Sequence, residues 1–342
     1  MHDFTCRALA EGRGDDVIPL TRHRALAYST NPYASAADVG LLVAYSRGRC
    51  AGYLGIMPGR LLKDGALYPV HWFSTWFVPP EFRSAGLGLR LLNRALALKY
   101  DFAVTGTSQA ADIIYRGLGF SEVGPLIFRR LRLSLPARAK RPVYEAILRP
   151  HRNALRRIVA REVARLPDDA GPSAAGTKGA PRFYRGVPVI NWMLAHPWVL
   201  EGGNSGVPEK NYAFSDTRDR FRHVALEFVD ALTGRWVGYL VLSLSAEQSQ
   251  TVLKVLDYHT ASGYDLRYVL PLALSHASLR EADQIDMPQE LWDTGRPGFL
   301  SRLLFRKSAR ACFCRPRDER SPLGCALNAL RLDYCDGDMA FV

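Results

Sequence analysis

The chain has 342 residues, 48% hydrophobic and 23% charged, which predicts a soluble globular protein of two domains, each large enough to bury a core. Its net charge of +12 raises nucleic acid as a partner, but most of the excess stands in one segment whose basic residues are interleaved with a single aromatic, Tyr144, which argues against single-strand binding. The amino terminus lacks the apolar run of a signal peptide and no stretch reaches roughly 18 uninterrupted apolar residues, so a cytoplasmic protein without a membrane span is expected.

In chain order, the first strong signal is a hairpin. LLVAYS (41–46) has strand composition, a Gly-Arg turn follows, and GRCAGYL (48–54) leads into a second apolar strand. A third strand, ALYPVHWFSTWFV (66–78), alternates His71, Phe73, Thr75 and Phe77 on one face with Trp72, Ser74, Trp76 and Val78 on the other. Its aromatic residues suit either an acyl pocket or an ordinary core. Pro79 and Pro80 end it, because proline cannot donate to a ladder.

Arg83-Ser84-Ala85-Gly86-Leu87-Gly88 then leads into a helix, LGLRLLNRALALKY, with leucines on one face. The first amides of a helix have no internal partner, its dipole favours negative charge at that end, and glycines let the backbone approach a ligand. The expected guest is a phosphate or pyrophosphate. The loop is not a P-loop, since no Gly-Lys-Ser/Thr follows, nor the G-x-G-x-x-G of a dinucleotide fold. A strand, DFAVTG (101–106), a short helix bearing Asp112 and Tyr115, and two more apolar stretches complete this half. That element order predicts an α/β sheet with helices packed on it.

Between Arg129 and Arg165 stand twelve Arg or Lys against Glu145 and Glu162, a local balance of +10. Leu155, Ile158, Val159, Val163 and Leu166 recur at helical spacing, which predicts an amphipathic helix with a basic wet face, either simply solvated or docking to an anionic surface or phosphorylated ligand. Residues 167–182, PDDAGPSAAGTKGAPR, read as a flexible linker. Beyond it GRWVGYL (234–240) repeats GRCAGYL in the same strand, turn, strand context, which points to a duplicated unit. A strand, TVLKVLDYHT, and a helix follow as in the first half, but ASGY (261–264) replaces the glycine loop. Cys6, Cys50, Cys312, Cys314, Cys325 and Cys335 read as free thiols, and Asp336-Gly337-Asp338 as a turn rather than a cation site, so no metal is expected.

The Arg83, Gly86, Gly88 pattern resembles the acetyl-coenzyme A loop of the GNAT superfamily of acyltransferases, and Tyr115-Arg116-Gly117-Leu118-Gly119-Phe120 looks like the Tyr and Gly-Phe segment that follows it there. The resemblance covers roughly residues 20–135. It implies two GNAT-like domains, each a mixed central sheet flanked by helices: an acetyl-CoA-binding domain (1–135), a basic helix and linker (136–182), and a degenerate copy (183–342). It further implies that the backbone of Phe77 and Val78 pairs with the pantetheine arm and that the amides of Ser84, Ala85, Gly86, Leu87 and Gly88 hold the pyrophosphate. Tyr115 stands where relatives carry the acid that serves the leaving thiolate, and Asp112 either contacts the cofactor or helps start its helix. Many relatives carry a Glu on the strand before the loop; this chain has none there, which leaves His71 as the nearest titratable candidate for a base. Asp257, Tyr258 or His259 could instead supply it, or acceptor contacts, from the second half.

Three function classes follow: an acyltransferase moving acetyl from acetyl-CoA to an amine or hydroxyl of a small molecule, such as an amino sugar or activated sugar; a peptidyl or protein acyltransferase; and a non-catalytic acyl-CoA-sensing regulator.

Overall fold

The computed structural model describes residues 17–171, 179–202, 212–214, 217–247, 250–261, 264 and 266–338. Cys6, the middle of the linker at 172–178, and Ser262 and Gly263 of the second-half junction lie outside the described residues. The first half runs α1 (Arg22–Ser29), β1 (Leu41–Ser46), β2 (Arg49–Lys63), β3 (Ala66–Phe77), α2 (Pro80–Arg83), α3 (Leu87–Leu96), β4 (Phe102–Thr105), α4 (Gln109–Gly117) and β5 (Ser121–Arg132). The middle of the chain adds α5 (Ala137–Leu148), α6 (Arg152–Arg157), β6 (Ile158–Val163) and β7 (Arg182–Phe183). The second half runs α7 (Val187–Ala195), β8 (Leu200–Glu201), β9 (Thr217–Arg218), β10 (Arg220–Asp230), β11 (Trp236–Glu247), β12 (Gln250–Thr260), α8 (Val269–Leu279), β13 (Gln284–Pro288), α9 (Gln289–Thr294), α10 (Phe299–Leu304) and β14 (Arg306–Arg315).

One mixed sheet spans both halves in the order β1-β2-β3-β4-β14-β5-β13-β12-β11-β10-β6. The order is nearly a palindrome about the β14-β5 pair. The last strand of each half crosses to the other: β14 enters between β4 and β5, and β5 lies between β14 and β13. The two halves share their local irregularities as well. In each first hairpin the register slips one residue past a glycine, at Ala44 opposite Gly52 and at Phe228 opposite Gly238. In each second hairpin it slips again, between Tyr53 and Gly55 and between Val241 and Leu242. GRCAGYL and GRWVGYL therefore occupy equivalent places in a duplicated unit.

The boundaries at 135 and 182 divide the chain but not the sheet. Phe313, Cys312 and Cys314 of β14 are fully buried against the first half, and Arg130 of β5 donates two hydrogen bonds of 2.6 Å to the buried Asp286 of β13. Residues 1–182 expressed alone would expose two long unpaired strand edges and lose this packing. They are expected to aggregate, and to regain native structure when residues 183–342 are supplied as a second chain, which circular dichroism and gel filtration would show.

The helix expected over 155–166 is formed only at 155–157, the end of α6. Ile158–Val163 is instead an edge strand, antiparallel to β10, with Arg161 directly opposite Glu227. The open edge of β10 supplies a ladder and a cross-strand ion pair, and these override the local apolar spacing. The basic face is also largely answered from within. Arg130, Lys140, Arg157 and Arg161 pair with Asp286, Asp283, Asp230 and Glu227, and Arg129 and Arg132 donate to Gln289 and Gln284. The arginine-rich segment is a strap that fastens the second half, whose carboxylates it faces.

Three large apolar clusters and a smaller one around Tyr53 and Tyr212 organise the described interior. One lies beneath α3 and α4 of the first half, with Leu54, Phe73, Leu92, Phe102 and Phe313. A second lies beneath α5 and α8, with Tyr144, Phe228, Leu240 and Leu270. The third spans the seam, where α1 and α7 meet and Tyr28, Trp72, Trp192, Trp198 and Tyr334 pack together. Among the described residues no helix is long and apolar enough to cross a membrane, no His, Cys, Asp and Glu cluster could hold a metal, and the five described cysteines are free thiols.

Candidate active site

β3 and β4 are paired only at His71 with Phe102 and Trp72 with Ala103. Beyond Trp72 the two parallel strands part, and a cavity of about 940 Å³ opens between them. Residues 73–77 of β3 and Val78 just after it form one wall, and Val104, Thr105 and the loop to α4 form the other. The parting has a local cause. Thr75 takes φ +47°, a left-handed conformation, within a bulge where Phe77 faces Tyr53 and Ser74 faces Gly55. The bulge breaks the alternation expected from His71 to Val78, so Phe73, Ser74, Thr75, Trp76, Phe77 and Val78 all reach the cavity while Trp72 stays in the core. Two polar atoms there, Thr75 Oγ1 and Trp76 Nε1, are buried without a hydrogen-bond partner among the described residues. Such groups call for a ligand or water.

At one end of the cavity lie Arg83, Gly86, Gly88 and Leu89. Gly86 takes φ +66° at the N-cap of α3, and a Cβ placed on it would meet no atom within 4 Å. Its backbone therefore faces open space. The first helical bond is donated by Arg90 to Gly86 O at 3.1 Å, so the amides of Leu87, Gly88 and Leu89 precede the ladder and stand at the positive end of the helix. The amides of Ala85 and Gly86 are already engaged in the turn, donating at 3.3 Å to Phe82 O and Arg83 O. Of the expected loop, Gly86 and Gly88 line the cavity, whereas Ser84, Ala85 and Leu87 are outside the lining. Arg83 Nε donates to Val78 O at 2.9 Å, which ties the loop to the end of β3.

Tyr115 reaches the cavity from α4, its ring set among Phe73, Trp76, Phe120 and Phe313. No described residue hydrogen-bonds to its hydroxyl. Burial, with smaller contributions from Asp338 and Asp112, raises its pKa, so the phenol keeps its proton across the neutral range. Asp112 is not in the lining. It accepts a hydrogen bond from Thr107 Oγ1 in the first turn of α4, whose N-cap is Ser108, and so serves the helix start.

His71 is placed elsewhere. Its Nε2 lies 2.9 Å from Asp38 Oδ1, its ring stacks on Tyr100, and it is outside the cavity. Burial lowers its pKa, and the fold uses it to tie β3 to the loop before β1. Asp257 and Tyr258 are likewise remote from the cavity. They line a pocket of only about 100 Å³ at the equivalent parting of β12 and β13, together with Arg185. Arg185 donates to Asp257 Oδ2 at 3.0 Å and to Asp336 Oδ1 at 2.7 Å. Tyr258 donates to Glu290, and His259 stands beside Trp236 and Tyr239, outside that pocket. The helix start there is buried and lacks glycine, with Tyr268 as the N-cap of α8. The second half therefore keeps the cleft of the repeat only as this small pocket.

Asp338, read in the sequence only as part of a turn, also lines the cavity between β3 and β4. The carboxyl-terminal segment forms a turn in which Asp336 N donates to Asp333 O at 2.9 Å, and Asp336 O accepts from Thr105 Oγ1 at 3.2 Å. Gly337, at φ +81°, lies so close to Thr105 and Trp72 that a Cβ would stand 2.7 Å from Thr105 Oγ1. That close approach delivers Asp338 to the cavity, where it is the one carboxylate among the described lining residues.

No family model matches the chain, and no curated protein matches it. Among solved structures, a conserved protein of unknown function from Enterococcus faecalis V583, a probable N-acyltransferase, superposes with a TM-score of 0.50 at 10% identity, over 92% of this chain and 69% of its own. A GCN5-related N-acetyltransferase from Anabaena variabilis gives 0.49 at 15% identity, over 82% and 63%. The chain shares the fold of that Enterococcus protein. A tandem GNAT protein from the clavulanic acid biosynthesis pathway is similar over 93% of this chain and 94% of its own, with a TM-score of 0.43 at 14% identity. This chain spans about three fifths of the Anabaena structure and of a second one from Kribbella flavida, 63% and 60%. The parted strands, the glycine loop and Tyr115 all belong to the first copy of the repeated unit.

Proposed function

We propose that the first copy binds an acyl-coenzyme A, acetyl-CoA being the simplest, and transfers its acyl group to an amine or hydroxyl of a small molecule by direct attack in a ternary complex. The observation that carries this reading is the continuous cavity running from the helix start at Gly86 to Tyr115. Its volume suits a ligand of this size, and its polar groups suit the parts of an acyl-CoA. The Leu87, Gly88 and Leu89 amides and Arg83 would hold the pyrophosphate, the parted edge of β3 would accompany the pantetheine arm, and Thr75 Oγ1 and Trp76 Nε1 would find partners near the thioester. The second copy, its cleft reduced to the small pocket lined by Arg185, supplies β14 and the carboxyl-terminal segment rather than a second acyl site.

Tyr115 would donate a hydrogen bond and then its proton to the sulfur as the C–S bond breaks. A sulfur left without that donor leaves as a bare thiolate, and general acid catalysis of this kind contributes about 10²–10⁴-fold. Calorimetric titration with acetyl-CoA is expected to give micromolar binding to both the wild type and Tyr115→Phe, while the variant releases coenzyme A thiol at least about 100-fold more slowly. Absence of acyl-CoA binding in the wild type would overturn the reading. Binding with no thiol release from any acceptor would point instead to a sensor of acyl-CoA.

A further inference from the structure

The transfer needs a group that removes a proton from the acceptor, and neither His71 nor the carboxylates of the second-copy pocket face the cavity. We propose that Asp338 is the catalytic base, its carboxylate taking the proton of the acceptor's amine or hydroxyl within the same cavity as Tyr115. The inference rests on the acyl-transfer reading of that cavity and deepens it. Asp338 comes from the second half of the chain, so the first copy is catalytically incomplete without the carboxyl-terminal segment.

Placement is the first argument. Asp338 lines the cavity together with Thr75, Thr105 and Tyr115, and its charge is near enough to Tyr115 to help hold that phenol protonated. Its position is built rather than incidental. Asp336 is pinned on one side by Arg185 and on the other by Thr105, and Gly337 admits the chain against Trp72. Rigid support of this kind is what a base requires, since proton transfer depends on hydrogen-bond reach to the substrate.

Electrostatics is the second argument. Arg24 of α1 lines the same cavity, and its charge, with those of Arg310 of β14 and Lys254 of β12, lowers the pKa of the carboxylate. Arg24 is itself held by the rings of Trp198 and Tyr212 and donates through Nε to Trp198 O at 3.3 Å. Tyr28 of α1 and Tyr115 of α4 feel the Asp338 charge from their own sides. Burial outweighs the cations and pushes Asp338 up to about 6. A carboxylate so placed is ionised at neutral pH yet more basic than one in water, which suits proton removal.

The step balances as follows for an amine that enters as an ammonium ion. Asp338 takes one proton and leaves the nitrogen lone pair free. That pair forms the C–N bond to the thioester carbonyl, the C–S bond breaks, and its electrons leave on sulfur, which takes the proton of Tyr115. The nitrogen's second surplus proton restores the Tyr115 hydroxyl, and Asp338 returns its own proton to solvent. One amide, one thiol and one proton are released.

The test follows coenzyme A thiol release from acetyl-CoA with ethylamine, ethanolamine or benzylamine as acceptor, and with water where none is taken. In the wild type, thiol release should fall as the pH drops below about 6. Asp338→Asn is expected to bind acetyl-CoA within threefold of wild type, to release thiol about 100-fold more slowly or worse, and to lose that acid limb. Added formate should restore turnover to Asp338→Ala in proportion to its concentration, a rescue that a merely structural residue would not show. An infrared carboxyl band that titrates near pH 6 and is missing from Asp338→Asn would support the assignment independently of turnover. A variant that keeps the wild-type rate and acid limb overturns the proposal while leaving the acyltransferase reading intact, as does a slow variant that keeps the limb and resists rescue. Failure of the wild type to bind acetyl-CoA removes both.

Discussion

Replacing Gly86 by glutamate is expected to weaken acetyl-CoA binding about 100-fold while leaving the fold in place. Two costs combine. A side chain at φ +66° sits in a left-handed conformation that disfavours L-residues by about 1–2 kcal/mol, and the loop would relieve this by rotating the Leu87 and Gly88 amides away from the ligand. A carboxylate beside the pyrophosphate adds repulsion of about 1 kcal/mol even at solvent dielectric. Together these amount to about 2–3 kcal/mol, or roughly two decades in affinity. Because a Cβ at this position meets nothing within 4 Å, the substitution creates no clash, and the melting temperature should move by only a few degrees. A graded series separates the causes. Gly86→Asn, which tolerates left-handed backbone, should bind nearly as well as wild type, Gly86→Ala about tenfold more weakly, and Gly86→Glu weakest. Calorimetric titration of the three reads the order directly, and equal affinity across them would mean that the pyrophosphate lies elsewhere.

Gly86 could be anticipated from sequence because a glycine two residues before another, at a strand-to-helix junction, has few structural explanations. The hairpins were legible for a similar reason: a turn with Gly48 or Gly234 at positive φ between apolar strands is a local signal. The bulge at Thr75 was not, since nothing in HWFSTWFV marks where the alternation breaks; register there is set by the facing strand. The helix expected over 155–166 failed because the spacing of five apolar residues is weaker than an open strand edge on β10 brought in from 60 residues away. Neither the exchange of β5 and β14 nor the arrival of Asp338 leaves a mark in any window of sequence. Asp338 depends on the bond from Thr105 to Asp336, whose partners are 231 residues apart, and on Arg185, whose place in the second cleft becomes visible only once that cleft is folded. The second copy could be read as worn from its missing loop, but not that Arg185 in its cleft holds the turn that carries Asp338.

That anchor gives the second large effect. Arg185 is 17% exposed and holds Asp257 and Asp336, which are 14% and 1% exposed. Arg185→Ala leaves both carboxylates enclosed without their cation, and loss of one partner from such a buried network costs about 3–5 kcal/mol, enough to lower the melting temperature by about 5–10 °C. The loss should depend on pH with a definite sign. Burial pushes Asp336 up to about 7 in the folded protein, above its value in an unfolded chain, so the folded state holds this proton more tightly. Its contribution is fully present at low pH and is lost as pH rises through about 7. Without Arg185 the enclosed carboxylate becomes harder still to ionise, so the variant should be closer to wild type at pH 6 than at pH 8. Denaturant unfolding at the two pH values measures the difference, and a uniform destabilisation would show that Asp336 is not the group left stranded. The same substitution frees the turn from Asp333 to Asp336 and so loosens the support of Asp338. On the proposed acyl-CoA reading, in which the helix start at Gly86 and Gly88 holds the cofactor at the far end of the cavity, acetyl-CoA affinity should stay within a few-fold of wild type while thiol release falls. Arg185→Lys, which keeps the charge but cannot fork between two carboxylates, should lie between the two in both stability and rate. A variant that lost cofactor binding along with turnover would instead place Arg185 in the support of the whole first copy rather than of its base.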